Sequence, residues 1–134
     1  MVITNYLDTL ETLALDEKTG IRLFRLTQDE SFSLYFAAIK EGTTLPAHYH
    51  QNNIEAYQII RGEGEFEIGA LLSDEVNWVS KTKIQAGDCF SIQPMQVHRL
   101  LNSGDTTMHI VFSTPPTHLG EDRFFITNAA KEMK

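Results

Sequence analysis

The chain has a single cysteine, Cys89, among its 134 residues. No intrachain disulfide can form, so stability must come from a packed core, and a reducing compartment fits. Basic residues are also in deficit: 11 lysines and arginines face 18 aspartates and glutamates, a formal net charge of −7. With no basic patch visible, that balance repels phosphate backbones and argues against a nucleic-acid partner. No apolar run approaches the ~20 residues that a membrane-spanning helix requires, so no membrane partner is expected. The start, MVITNYLDTLETLALDE, lacks a basic stretch followed by an apolar core. A secretory signal is therefore not expected, and a cytoplasmic location is.

What is present is the balance of an ordinary folded domain, with 42% hydrophobic and 22% charged residues. That composition excludes disorder, and a domain of this length buries about two-thirds of its unfolded surface. Residues 1–134 are read as one domain: an N-terminal arm over 1–20, a barrel over 21–112 and a C-terminal tail over 113–134.

Turn residues separate short alternating or apolar runs at regular intervals, the rhythm of an all-β sandwich or barrel. Strands are predicted at Ile21–Leu26, Phe32–Ile39, Glu55–Arg61, Gly64–Ala70, Trp78–Ile84, Cys89–Ile92, His98–Asn102 and Met108–Phe112. Gly62-Glu63-Gly64 between two of them predicts a hairpin. Cys89 reads as a small buried hydrophobe rather than a nucleophile. Leu7, Leu10, Leu13 and Leu15 are partly helix-periodic and equally suit an extended arm. In the tail, Phe124 and Phe125 suit packing against the outside of the barrel, and His118 reads as a surface residue.

Two blocks carry the chemistry: Gly42-x5-His48-x-His50-x4-Glu55-x6-Gly62 and Gly87-x10-His98-x3-Asn102. Side chains alternate along a strand, so His48 and His50 point the same way. Gln51-Asn52-Asn53 would let the next strand return antiparallel and aim Glu55 at the same place. Tyr57 and Ile59 then share the face of Glu55, and Leu100 and Asn102 share that of His98. Imidazole nitrogen and carboxylate oxygen suit one divalent Fe, Mn, Ni, Co or Zn ion, and no thiolate biases the site toward softer metals. Four protein ligands on a six-coordinate ion leave two positions for water, substrate or oxygen. A saturated tetrahedral zinc site would instead be structural.

The two blocks resemble the conserved motifs of the cupin superfamily. GTTLPAHYHQNNIEAYQIIRG matches the first motif at its defining positions, and GDCFSIQPMQVHRLLN keeps Gly87, His98 and Asn102 of the second. It departs where the family usually has a proline and then a glycine; this chain has Gln93 and Met95, which leaves the shape of that turn open. The resemblance implies an all-β double-stranded β-helix, or jelly-roll barrel, with little helix. It also implies His48, His50, Glu55 and His98 as metal ligands, a structural role for Asn102, and tight turns at Gly42, Gly62 and Gly87. Some relatives leave their ligands incompletely used, and carbohydrate-epimerising ones use histidine as a base without metal.

Tyr57, Phe66, Phe90, Leu100 and His109 are the candidates for the substrate pocket, His109 being the weakest. Arg61 and Arg99 could anchor an anion but sit near strand ends, where solvation is the simpler reading. The expected function is a metal-dependent enzyme acting on a small oxygenated molecule, of dioxygenase, isomerase, decarboxylase or lyase type. The alternative is a small-ligand-binding or sensory module. The resemblance also implies a homodimer, because cupin barrels often pair through an N-terminal arm or an exposed sheet, which covers edge strands, and Met1–Leu15 could supply such an arm.

Overall fold

The computed structural model describes residues 1–116 and 121–126; His118 lies outside them. A 3-10 helix over Tyr6–Thr12 begins the chain, and the Asn5 side chain caps it by accepting from the Leu7 amide at 2.9 Å. Among the described residues eleven strands follow: β1 Ala14–Asp16, β2 Ile21–Arg25, β3 Ser33–Ile39, β4 Thr44–Tyr49, β5 Glu55–Arg61 and β6 Glu63–Leu72. The rest are β7 Glu75–Gln85, β8 Cys89–Ile92, β9 Gln96–Leu101, β10 Met108–Thr114 and β11 Phe124–Phe125.

They form two antiparallel sheets, ordered β1-β2-β3-β10-β5-β8 and β11-β4-β9-β6-β7. The inner faces meet in one core, with Tyr35, Ile39, Ile59 and Ile110 from the first sheet and Leu45, Phe66, Ile84 and Leu100 from the second. This is the all-β double-stranded β-helix that the sequence implied.

Strand alternation explains which residues enter that core. Along β5, Glu55, Tyr57 and Ile59 are buried while Ala56 and Gln58 are exposed. Along β8 the same period turns Phe90 and Ile92 inward, and Cys89 outward. Cys89 is therefore exposed, not the buried hydrophobe expected; its apolar neighbours mark the strand but not the phase of its pleat.

The hairpin expected at Gly62-Glu63-Gly64 does not form, because β5 and β6 belong to different sheets. Gly62, at φ +91°, turns the chain from one sheet to the other. Its carbonyl accepts from the Ala86 amide at 3.0 Å, which ties the corner to the β7–β8 turn. The hairpin lies one strand later, where β6 and β7 pair up to Leu72 opposite Glu75. Ser73 and Asp74 close it with φ of 49° and 68°, the double left-handed turn whose twist suits paired strands.

Met95, where the family usually carries glycine, also has left-handed backbone, at φ 69°. The turn is thus kept without the glycine, and the Met95 amide donates to the His50 carbonyl at 2.6 Å. The Met95 side chain is 49% exposed and contributes little packing. Met95→Gly removes a left-handed strain of about 1–2 kcal/mol, offset by about 0.5–1 kcal/mol of added unfolded-state entropy. A rise in the urea unfolding midpoint at unchanged m-value is the expected outcome; a fall would show that the turn is not strained.

Candidate metal centre

Each ligand-type residue reaches the barrel interior by a different local device. Leu45 pairs with Leu100 and His48 with His98, so β4 carries one residue more than β9 between these pairs. This bulge at Pro46-Ala47 reverses the alternation, and without it His48 would face opposite to Leu45. His50 lies just beyond the end of β4, and Glu55 opens β5 in the opposing sheet. The two strands do not return beside each other as expected; the 51–54 connection crosses between sheets. His98 sits mid-strand on β9, between β4 and β6.

All four residues are buried, at 3% relative exposure or less. One ligand atom from each lies within 4.8 Å of all the others. Glu55 Oε2 is 3.3 Å from His50 Nε2 and 3.6 Å from His98 Nε2.

The outer ring nitrogens show which tautomer each imidazole holds. His48 Nδ1 donates to the Pro46 carbonyl at 2.8 Å, His50 Nδ1 to that of Asp122 at 2.5 Å, and His98 Nδ1 to that of Gln96 at 3.1 Å. In a neutral ring, a proton held on Nδ1 leaves Nε2 with a lone pair, as a metal ligand requires. His98 Nε2 makes no hydrogen bond. Burial, reinforced by the neighbouring His98, pushes the His48 imidazole well below its ordinary value of 6.5 and keeps it neutral. Three imidazoles, each with Nδ1 engaged by a carbonyl, and one carboxylate fit a divalent first-row ion, and these residues would hold it.

Between the sheets runs a narrow cavity, with about 30 Å³ open to the centre of a water-sized sphere. His48 and Glu55 form part of its wall, and most of the remainder is aliphatic or aromatic. Of the five pocket candidates, Tyr57 and Leu100 line it. Phe66 and Phe90 pack behind Tyr57, with ring centroids 5.9 and 5.3 Å from its own. Burial, and then the charge of Glu55, push the Tyr57 phenol well above 10, and its hydroxyl bonds to Glu55. Tyr57 therefore stays protonated and steadies the carboxylate.

His109 corrects the expectation. Inward-facing Met108 and Ile110 flank it on β10, so the period of two turns it out of the barrel, against Phe36 (5.2 Å) and Tyr6 (6.2 Å). Arg99 stacks over Trp78 at 4.3 Å and pairs with Glu67; Arg61 is exposed.

The tail supplies what the sequence reading missed. Phe124 pairs with Tyr49 and Phe125 with His48, so β11 extends a sheet instead of lying on the barrel's outside. The Phe125 ring is 5.6 Å from the His48 ring. Asp122 is 5% exposed and accepts from three consecutive amides, Gln51 (2.6 Å), Asn52 and Asn53 (both 3.0 Å). Burial would raise its pKa, but these hydrogen bonds outweigh it and hold the carboxyl below 3.8. Arg123 lines the cavity and pairs with Asp16. The only sequence signal was the run Asp122-Arg123-Phe124-Phe125, charge beside aromatics in a polar segment, and nothing in it points 70 residues upstream.

A double-stranded β-helix enclosing a buried three-histidine, one-glutamate cluster is the class that this fold and site define. A family profile described as a cupin domain matches residues 35–114, and the chain belongs to the cupin family. Among solved structures it is similar to a cupin 2 conserved barrel domain protein from Salinispora arenicola, with 18% identity, 89% of this chain and 92% of that one covered, and a TM-score of 0.66. It is also similar to a predicted oxalate decarboxylase from Thermotoga maritima, with 20% identity, 71% and 79% covered, and a TM-score of 0.61. A recombinant oxalate oxidase in complex with glycolate aligns at 20% identity over 84% of this chain and 58% of that one, with a TM-score of 0.65. These likenesses show the fold. A comparison with curated proteins finds no match.

Elemental analysis of the purified protein is expected to find close to one divalent first-row ion per chain, and His48→Ala/His50→Ala to lose it. Full retention in the double variant would sink the assignment. Asp122→Ala should weaken metal affinity roughly 10–100-fold in chelator competition, as removal of other outer-shell supports does. Unchanged affinity would show that the 51–53 loop holds His50 without help.

Proposed function

We propose that the protein is a metal-dependent enzyme acting on a small oxygenated organic molecule, with one divalent transition-metal ion held by His48, His50, Glu55 and His98. The observation that carries this reading is the convergence of these four groups on the wall of an otherwise largely apolar cavity. When bound, such an ion supplies Lewis acidity toward substrate oxygen, or redox chemistry if it is iron or manganese.

The chain's own residues have separate tasks. Carbonyls of Pro46, Gln96 and Asp122 hold the imidazoles in one tautomer, so no ring reorients when a ligand binds. Tyr57 holds Glu55 by a hydrogen bond and does not act as a base near neutral pH. The aliphatic lining excludes water, which strengthens electrostatic interactions inside the cavity. Its narrowness limits the substrate to a few heavy atoms. The similarity to a predicted oxalate decarboxylase and to an oxalate oxidase holding glycolate supports small carboxylic acids as the first substrates to try.

Fe(II)- and Mn(II)-loaded protein is expected to consume O2 or release CO2 with a member of a panel of oxalate, hydroxy acids, diketones and catechols. Saturable ligand binding without turnover across the panel would instead make the protein a binding module. We also infer a homodimer, supported by Val2, Ile3, Leu7 and Leu15, which are exposed along the N-terminal segment. Light scattering at micromolar concentration should give twice the chain mass, and a monomer mass would overturn this.

A further inference from the structure

We propose that Arg123 selects the substrate by receiving its carboxylate on the guanidinium edge that Asp16 leaves open. This rests on the reading of the cavity as a substrate site. Arg123 lines that cavity together with His48, Glu55 and Tyr57, and its side chain is only 7% exposed. A cation so buried needs a partner, and Asp16 provides one. Nη1 lies 2.6 Å from Asp16 Oδ2 and Nη2 3.3 Å from Oδ1, so Asp16 takes the terminal fork of the guanidinium.

A guanidinium has five N–H donors and a second fork, formed by Nε and one Nη. In Arg123, Nε is buried and makes no hydrogen bond. Buried donors without partners are rare in folded proteins, and each calls for a reason. A planar carboxylate matches the free fork with two parallel hydrogen bonds.

The group is also held in place. Thr19 Oγ1 donates to Asp16 Oδ2 at 2.7 Å, and Thr19 itself lines the cavity. On its other side the guanidinium carbon lies 5.3 Å from the Phe125 ring centroid. Asp16 and Arg123 are 107 residues apart, so the guanidinium is oriented this way only when β1 and the 122–125 segment meet.

The ligand class follows from these constraints. A carboxylate occupies Arg123, an oxygen on a nearby carbon is directed toward the histidine and glutamate cluster, and the narrow cavity limits the carbon count. A neutral analogue leaves Nε without an acceptor of matching charge and is rejected, because a site built for a polar group discriminates strongly against ligands lacking it.

Calorimetric titration of metal-loaded protein with glycolate, and with its neutral amide glycolamide, tests the proposal. Wild-type protein is expected to prefer glycolate. Arg123→Gln should lower glycolate affinity at least tenfold at unchanged metal content, leave glycolamide unaffected, and Arg123→Lys should recover part of the loss. Because Arg123→Gln leaves the half-buried Asp16 without its cation, Asp16→Asn/Arg123→Gln provides a charge-neutral version should the single variant fail to fold. Equal glycolate affinity in wild type and the glutamine variants, or no preference for glycolate over glycolamide in wild type, overturns the assignment. Metal content separates this from the proposed function. If wild type holds no metal, that reading falls, and glycolate binding that still depends on Arg123 keeps the carboxylate site.

Discussion

Burying a carboxylate beside three imidazoles in an apolar interior costs several kcal/mol per ion unless each group is satisfied, and the structure around the centre is organised to meet that cost. Glu55 lies within 3.3 to 3.6 Å of two histidine Nε2 atoms and bonds to the Tyr57 hydroxyl. Each imidazole gives its other nitrogen to a backbone carbonyl, two of them from the residue two places earlier in the chain. The third carbonyl, that of Asp122, comes from 72 residues away. A divalent ion would complete such a set, because it would turn mutual crowding of lone pairs and negative charge into coordination.

That third carbonyl makes the C-terminal segment part of the centre. Three consecutive amides converge on the Asp122 carboxylate, a small anion-binding nest that fixes the loop after His50. One residue on, Arg123 reaches back to Asp16 near the start of the barrel, and two further on, Phe125 lies near His48. Residues 122–125 thus tie the ligand loop, the N-terminal strand and the edge of the second sheet together. A local opening of this segment would loosen metal support and cavity wall at the same time.

The barrel and the four ligand-type residues were legible because their signals are local. Two histidines one residue apart, a carboxylate five residues on and alternating apolar runs need only neighbouring residues to be read. Where a local signal has two structural outcomes, the sequence could not choose. Glycine at position 62 serves a hairpin or a change of sheet equally well, and only the pairing of β5 with β10 and β8 decides. Cys89 was misjudged over which face it takes, and His109, the weakest pocket candidate, turns outward, since apolar flanks announce a strand without stating which residue turns inward. Met95 shows the reverse: a non-glycine residue keeps the left-handed turn because the His50 carbonyl holds its amide.

By itself, the sequence determined the all-β class, most of the strand positions and the donor types available to a metal, since these follow from period, turn chemistry and residue identity. The tertiary structure decided everything that depends on phase and distance. The bulge that turns His48 inward, the placement of Glu55 in the opposing sheet and the arrival of Asp122 and Arg123 at the site have no local signature. They arise because two sheets, once closed on each other, bring residues tens of positions apart within hydrogen-bond range. In this fold the candidate ligands are written in the chain, and the cavity beside two of them is completed by Thr19 and Arg123 from distant segments.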